Sequence, residues 1–330
     1  MKFGKSLILT ALIVLASGCG AGGLFNGSFF NHGGGGGGGG GGTTNFAAVY
    51  TSNSPSNPSN DIITIYPLNG GSDPTPSRSY QGCTCHLDHP AQTGVDAQGN
   101  LYIINQGVLG TTSPSVVVFS PSTDGNTTPI RTITSPVLVS PQALAIDGSG
   151  NIFVGDAGSS AIYEFTSSQN GPSAPVNVIT SNVQQPLALA VAPNGDLYAA
   201  DYGAKAVLIY AAGTLAFKGE INGSNTGLAS GPSGIAFDSA GNIYVTTKDN
   251  GAIVEFPAGT QTNIVPSRTI TGLTSPQGIG VDASGNMYVG QSSANQINVY
   301  SASTPSGTSS PSSTISGSNT KLNAPTYVSI

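Results

Sequence analysis

The chain has 330 residues, of which 9 are Lys or Arg and 15 are Asp or Glu, so its formal net charge is −6. An acidic surface without a basic cluster repels phosphate backbones, which excludes nucleic acid as a partner. Only 7% of the residues are charged and 47 are glycine, a composition that favours an exported β protein over a cytosolic one.

Residues 1–18 have the pattern of a bacterial signal peptide. Two lysines precede an apolar run that is too short to cross a bilayer. The end of this run, Ala16-Ser17-Gly18-Cys19, resembles a lipobox, with Ala16 where Leu is usual. The resemblance implies that Cys19 is lipidated and becomes the first mature residue, and simple cleaved secretion is the alternative. We therefore expect an exported protein, lipid-anchored to a membrane at the cell envelope or outer surface.

Residues 19–44 show no pattern of a folded element. They include an unbroken run of ten glycines at 33–42. Glycine loses more conformational freedom on ordering than any other residue, so the segment is predicted to be a flexible tether.

A repeat begins at residue 45. Six times a short apolar stretch ends in an aromatic residue, with spacings of 53, 46, 45, 46 and 44 residues. These residues are Tyr66, Phe119, Phe165, Tyr210, Phe256 and Tyr300. A repeat of this length that contains four short strands is typical of a propeller blade.

Each full repeat predicts four strands, which we call a, b, c and d. Strand a opens with a proline, as in Pro141–Asp147, and a Gly-centred turn joins it to an apolar strand b. Strand c carries the aromatic end, and strand d has the polar, proline-containing pattern of an exposed outer edge. The middle of strand a is small in every repeat, as expected where blades crowd around an axis: Gly94, Ala145, Ala190, Ala236, Gly280 and Ser329.

The ends of the chain predict how the ring closes. The first repeat starts at strand b and lacks a strand a, whereas Pro325–Ile330 is a strand-a motif with nothing after it. The C-terminal strand should therefore complete the N-terminal blade, which closes the ring and removes two open sheet edges. The predicted fold is all-β: residues 45–330 form one six-bladed β-propeller of four-stranded blades.

The unit Pro-x-(Gly/Ala)-Ile-Ala-x-Asp-x-x-Gly-Asn-Ile-Tyr-Val resembles the NHL repeat and, more distantly, the six-bladed gluconolactonase group. The resemblance implies two functions. NHL propellers mostly serve as binding platforms, whereas gluconolactonase-like propellers hold a divalent metal in the channel with Glu, Asn and Asp. The only glutamates here, Glu164, Glu220 and Glu255, fall in strands c and d.

One polar residue ends strand b in each full repeat. These candidate ligand-binding residues are Asn105, Asp156, Asp201, Thr247 and Gln291, with a first-repeat equivalent near Tyr50 or Thr51. A ring of such groups at the channel mouth could hold a cation or a sugar. The alternative is structural, because Asp at these positions also suits Asx turns that open the b–c hairpin.

A second candidate is the segment from Cys83 to His89. Two thiols and two imidazoles could bind a divalent metal through Cys83, Cys85, His86 and His89. The spacing is not that of a zinc finger. The alternatives are a Cys83–Cys85 disulfide, or cysteines that neither bind metal nor form a disulfide.

The sequence therefore predicts a monomeric, non-enzymatic binding module that presents its loops to a protein, peptide or glycan. No catalytic residue and no obligatory cofactor are predicted, because no nucleophile elbow occurs and the chain has only three histidines. The alternative is a metal-dependent, lactonase- or lyase-like hydrolase that uses the channel-mouth residues. A structural or adhesive surface protein is a third hypothesis.

Overall fold

The computed structural model describes residues 48–53, 61–68, 71–108 and 112–330. The predicted signal peptide, Cys19 and the predicted tether lie outside the described residues. Contacts group Thr44–Ile330 into one compact unit. In the described part of the chain, no helix is long and apolar enough to span a membrane.

The strands form six hydrogen-bonded sheets. Sheet 1 contains β1 (Ala48–Asn53), β2 (Ile62–Pro67), β3 (Arg78–Tyr80) and the C-terminal β26 (Pro325–Ser329). Sheet 2 contains β4 (Pro90–Val95), β5 (Leu101–Asn105), β6 (Ser115–Phe119), β7 (Arg131–Thr134) and β11 (Gly171–Pro172). Sheet 3 contains β8 (Pro141–Ile146), β9 (Ile152–Asp156), β10 (Ala161–Phe165) and β12 (Asn177–Ile179).

The other three sheets follow the same order of strands. Sheet 4 contains β13 (Pro186–Val191), β14 (Leu197–Asp201), β15 (Ala206–Tyr210) and β16 (Phe217–Ile221). Sheet 5 contains β17 (Gly234–Phe237), β18 (Ile243–Thr247), β19 (Ala252–Phe256), β20 (Arg268–Thr271) and β24 (Gly307–Thr308). Sheet 6 contains β21 (Pro276–Val281), β22 (Met287–Gln291), β23 (Gln296–Tyr300) and β25 (Ser313–Ile315).

The prediction of four strands per sheet is wrong for sheets 2 and 5, which have five. In each of these sheets, a two-residue strand from the following repeat pairs in parallel with the outer strand. The loop after strand c thus reaches the outer strand of the preceding sheet and covers backbone groups that would otherwise face water. The remaining regular structure of the described residues consists of short 3-10 helices at Cys83–Cys85, Ser292–Ala294 and Ser318–Thr320.

The six first strands contact one another in a closed cycle, from β26 to β4, β8, β13, β17, β21 and back to β26. Small side chains make this approach feasible. A Cβ added at Gly278 would lie 2.6 Å from the Cα of Tyr327, and one at Gly94 would lie 2.7 Å from Cδ1 of Ile146. The all-β, propeller part of the fold prediction is confirmed, and small residues in strand a are a packing requirement.

The C-terminal strand pairs with the first strand of the chain. β26 is antiparallel to β1, with Thr51 opposite Val328 and Ser52 opposite Tyr327. Tyr327 and Val328 are both buried, in two different apolar clusters. The prediction that Pro325–Ile330 supplies the strand missing from the first repeat is therefore confirmed.

The aromatic residues that define the repeat are the anchors of the core. Five of them end strand c, the sixth, Tyr66, lies one residue before the end of β2, and all are at most 1% exposed: Tyr66, Phe119, Phe165, Tyr210, Phe256 and Tyr300. A buried aromatic ring contributes about 150–250 Å² of contact area, so one such residue per repeat stabilises each interface between sheets. The five b strands β5, β9, β14, β18 and β22 are buried along their whole length, as their apolar patterns predict.

Candidate functional site

The b–c and d–a connections emerge on one side of the sheets, which we call the loop face. In antiparallel sheets the end of b, the start of c, the end of d and the start of the next a all lie at the same side. In sheets 3 to 6 the b–c connection spans only four residues, but it spans 54–61 in sheet 1 and 106–114 in sheet 2. The departures from the repeat therefore concentrate on the loop face of two neighbouring sheets.

Asp156, a predicted ligand-binding residue, is fully buried at the end of β9. Its carboxylate accepts hydrogen bonds from the backbone N–H groups of Val139 (2.7 Å) and Ser140 (3.1 Å), in the preceding d–a connection. It also accepts from Gly158 and Ser159 N–H, both at 2.9 Å, in its own b–c turn. The side chain thus joins two loops, as in the Asx-turn alternative.

Asp201 has the same role one sheet further along. Its carboxylate is fully buried and accepts from Gln184 N–H (2.8 Å), Gln185 N–H (2.9 Å) and Ala204 N–H (2.9 Å). Backbone donors therefore occupy the lone pairs that a channel metal would need. Both carboxylates are therefore buried and bonded to loop backbone rather than open on the loop face.

The three other predicted ring residues are also buried and hydrogen-bonded. Asn105 Oδ1 accepts from Asp88 N–H (3.1 Å), Gln291 Oε1 accepts from Thr274 N–H (2.8 Å), and Thr247 Oγ1 donates to Ala252 O (3.5 Å). Strand pairing identifies the equivalent position in the first repeat as Asn53, which lies opposite Ile62 and Pro325. The prediction near Tyr50 or Thr51 was therefore wrong, because β1 runs two residues further than its apolar pattern suggests.

Cys85 lies in the core rather than in a loop-face site. It is fully buried among Ile63, Tyr80 and Ile103, and its thiol donates to Gly125 O at 3.1 Å. Burial raises the pKa of this thiol, which disfavours the thiolate that metal binding requires.

Cys85 is a free thiol and not half of the predicted Cys83–Cys85 disulfide. The packing of Cys85 explains the difference. From the 3-10 helix Cys83–Cys85, its thiol is directed into the apolar core, where it donates to a backbone carbonyl.

The two histidines of this segment are separated. His86 is exposed, and its carbonyl oxygen accepts from Asn105 Nδ2 at 2.7 Å. His89 instead lies beside Asp61 and Asp88. Both histidines have a left-handed backbone, with φ of 53° and 51°, so the segment turns sharply between them. The predicted four-residue set is therefore not gathered at one point.

Asp61, Asp88 and His89 form the one group of potential metal ligands in the described residues. A carboxylate oxygen from each aspartate and a ring nitrogen of His89 all lie within 4.8 Å of one another. His89 Nδ1 lies 2.8 Å from Asp88 Oδ1, and His89 N–H donates to Asp61 Oδ2 at 2.6 Å. The group joins the b–c connection of sheet 1 to the segment that enters sheet 2.

Asp61 is the buried member of the group, at 3% exposure. Desolvation raises the pKa of its carboxyl to about 6, against the lowering effect of the hydrogen bond and charge of His89. Its second oxygen, Oδ1, has no hydrogen-bond partner among the described residues. No motif in the sequence connects Asp61 with His89, because the two are 28 positions apart; the one local signal is an acidic residue directly before an apolar strand c.

Gln92 of β4 lies at the axis of the molecule and hydrogen-bonds to two other first strands. Its Nε2 donates to Leu189 O (3.0 Å), and its Oε1 accepts from Leu144 N–H (2.9 Å) and Leu189 N–H (3.1 Å). Leu144 belongs to β8 and Leu189 to β13, so one amide joins three first strands. A cavity of about 260 Å³ at the axis is lined by the first strands, and none of the five predicted ring residues is in that lining.

A second cavity, of about 360 Å³, lies on the opposite side, between the a–b turns of sheets 2 and 3. A tyrosine hydroxyl bridges two of its charged groups: Tyr102 donates to Asp96 (3.0 Å) and accepts from Arg131 Nη2 (2.8 Å). The Asp96 carboxylate also binds the N–H groups of Gln98 and Asn100, both at 2.9 Å. These contacts build the turn rather than leave groups for a ligand.

No family model matches the chain, and no curated protein matches it. Among solved structures, the chain is similar to the crystal structure of a nidogen/laminin complex, with a TM-score of 0.63. The match has 14% sequence identity and covers 86% of this chain and 97% of that chain. At this identity the similarity supports the β-propeller fold alone.

Proposed function

We propose that the protein is a six-bladed, NHL-like β-propeller whose loop face is a non-enzymatic binding site for another protein. The count of six blades is supported by the six sheets and by the closed cycle of their first strands. We also propose that Cys19 carries a lipid that anchors the chain to the cell envelope, and that the chain is a monomer.

The observation that carries the binding proposal is the concentration of non-repeated chain on one face. There the b–c connection of sheet 2 is joined to the segment that enters the same sheet by Gly107 N–H to Asp88 O (3.2 Å) and Gln106 N–H to His89 O (3.2 Å). The Thr112 hydroxyl also donates to Asp88 Oδ2. Loops held in this way on a rigid scaffold are where binding residues usually lie. The similar structure is of a complex between two proteins, which is compatible with a protein partner.

A specific observation weighs against the lactonase- or lyase-like alternative. Such an enzyme would need Asp156, Asp201 and Asn105 to hold a metal at the channel mouth, and all three side chains are at most 2% exposed. Their acceptor oxygens already receive backbone hydrogen bonds. Releasing a buried carboxylate from several N–H donors costs about 1–3 kcal/mol for each donor left unpaired.

Photo-crosslinking in the cells that export the protein tests the binding proposal. A photoreactive side chain is placed at Val108 or Val139, exposed residues of the loop face. Matched controls carry it at Ala97 or Ala240, exposed residues of a–b turns on the opposite side. We expect a discrete adduct from the loop-face positions only, and the purified partner should then bind the purified chain directly. Equal adducts from both faces, or none from the loop face, would overturn the proposal.

A further inference from the structure

We propose that Asp61, Asp88 and His89 bind a divalent transition-metal ion of the zinc type on the loop face. This inference does not depend on the proposed protein partner. It also differs from the ligand set that the sequence predicts, because it replaces both cysteines and His86 with two carboxylates.

The side chains of Asp61, Asp88 and His89 converge. Their candidate ligand atoms lie within 4.8 Å of one another. Zinc bonds of about 2.0–2.2 Å in a tetrahedral site place ligand atoms about 3.3–3.6 Å apart. Small side-chain rotations would therefore close the group around an ion, and the 2.8 Å contact of His89 Nδ1 with Asp88 Oδ1 would open to admit it.

Asp61 has a buried oxygen that no described residue hydrogen-bonds. The residue is 97% buried, one oxygen accepts from His89 N–H, and the other, Oδ1, has no partner in the described part of the chain. A buried carboxylate oxygen without a donor costs free energy, and buried polar groups of this kind are rare unless something binds them. A cation at the group would satisfy this oxygen.

Protein donors orient the two aspartates. Asp61 Oδ2 is held by His89 N–H, and Asp88 Oδ2 is held by the Thr112 hydroxyl. Of the other two oxygens, Asp61 Oδ1 has no partner among the described residues, and Asp88 Oδ1 contacts His89 Nδ1, another member of the group. Hydrogen bonds to the outer side of a ligand are the usual support of a metal site.

The donor set selects the class of ion. Calcium and magnesium prefer all-oxygen surroundings, whereas zinc and its neighbours combine imidazole nitrogen with carboxylate oxygen. Asp88 and His89 retain 21% and 29% side-chain exposure, so an ion can reach the group from solvent. Three protein ligands leave a fourth position for water or for another molecule.

The test is calorimetric titration of ZnCl₂ into the purified full chain after removal of metal with EDTA. We expect one bound ion per chain. His89→Gln and Asp61→Asn should each weaken binding at least about tenfold, as loss of a ligand exceeds the roughly 10–100-fold effect of losing an outer hydrogen bond. The matched controls, His86→Gln in the same segment and Asp249→Asn on the loop face, should bind as the parent chain does.

Two further measurements separate the outcomes. The metal-free variants should show the parent's circular dichroism, so that a loss of binding reflects a lost ligand rather than unfolding. The Co²⁺-loaded chain should lack a thiolate charge-transfer band, and Cys83→Ser should bind zinc unchanged. Absence of zinc binding by the parent chain would overturn the proposal, as would equal losses in His86→Gln and His89→Gln or a thiolate band.

Discussion

The backbone N–H of His89 donates a hydrogen bond of 2.6 Å to Oδ2 of Asp61. The two residues belong to different sheets and are 28 positions apart. In sheets 3 and 4 the residue before the strand-a proline, Ser140 or Gln185, donates instead to the aspartate that ends its own strand b. The change of partner at His89 links sheet 1 to sheet 2. The other oxygen of Asp61 has no hydrogen-bond partner within the described ranges.

Asp61→Asn should remove a pH dependence from the stability of the metal-free chain. Because burial raises the folded-state pKa of Asp61 to about 6, the folded state binds more protons than the unfolded state between about pH 4 and 6. The stabilising contribution of the protonated Asp61 carboxyl to the free energy of unfolding is therefore fully present below about pH 4 and is lost as pH rises through 6. The change amounts to up to about 3 kcal/mol.

Urea denaturation at about pH 4 and about pH 8, with EDTA present, measures this effect. Relative to the parent chain, Asp61→Asn should be more stable at the higher pH, although the same substitution weakens zinc binding. Asp249→Asn, an exposed control, should follow the parent at both pH values. An Asp61→Asn chain that loses as much stability with rising pH as the parent would contradict the prediction.

Asp156→Ala should destabilise the fold by about 3 kcal/mol or more, because it leaves buried backbone N–H groups of two loops without an acceptor. Asp249→Ala removes an exposed carboxylate that accepts only from Tyr202 Oη (2.7 Å) among the described contacts. It should change stability by no more than about 0.5 kcal/mol. Urea denaturation measures both, and equal effects would show that Asp156 is not a structural acceptor.

Gln92→Leu should cost about 2 kcal/mol or more. The leucine fills a similar volume but cannot pair with the Leu144 and Leu189 backbone groups that the glutamine amide binds across the axis. Gln98→Leu makes the same chemical change at an exposed turn residue and serves as the control. Comparable melting temperatures for the two variants would argue against a role of Gln92 in joining the first strands.

Deletion of Pro325–Ile330 should lower stability by at least about 4 kcal/mol, since it exposes the edge of β1 and removes the buried Tyr327 and Val328 side chains. Ser329→Ala keeps the strand and removes only the 2.8 Å contact with Thr93 Oγ1, so it should cost about 1 kcal/mol. Thermal denaturation compares the three chains. An unchanged melting temperature after the deletion would refute ring closure by β26.

In the native protein, Cys85 should not react with an alkylating agent. After unfolding it should react, and no reductant should be needed. The thiol is buried, and burial raises its pKa, so the reactive thiolate is scarce. Mass mapping of the alkylated residue, with and without reductant, measures this. If Cys85 were labelled only after both unfolding and reduction, it would be disulfide-bonded and the free-thiol assignment would be wrong.

Much of the architecture could be predicted because it follows from short sequence patterns that recur in each repeat. The buried aromatic residues, from Tyr66 to Tyr300, mark the strands that every sheet needs, and the strand-a motif at Pro325 identifies the closing strand. The extra strands at Gly171 and Gly307 could not be predicted in this way. They are two residues long and exist only through pairing with a neighbouring sheet.

The roles of the polar residues depend on which groups they hydrogen-bond in the folded chain. Asp156 and Asp201 have the composition and spacing of a ligand ring, but backbone donors from distant loops occupy their carboxylates. Cys85 and His86 are close in sequence to His89, but a turn and a 3-10 helix direct them elsewhere.

By itself the sequence determined the four strands of each repeat, their order and the pairing of the C-terminal strand with the first, because apolar spacing and turn residues act over short distances and recur in each repeat. Only the tertiary structure decided which side chains meet. Asp61 comes beside Asp88 and His89 because packing of sheet 1 against sheet 2 brings their loops to one face. No spacing along the chain encodes that contact, since it depends on the folding of every strand between them.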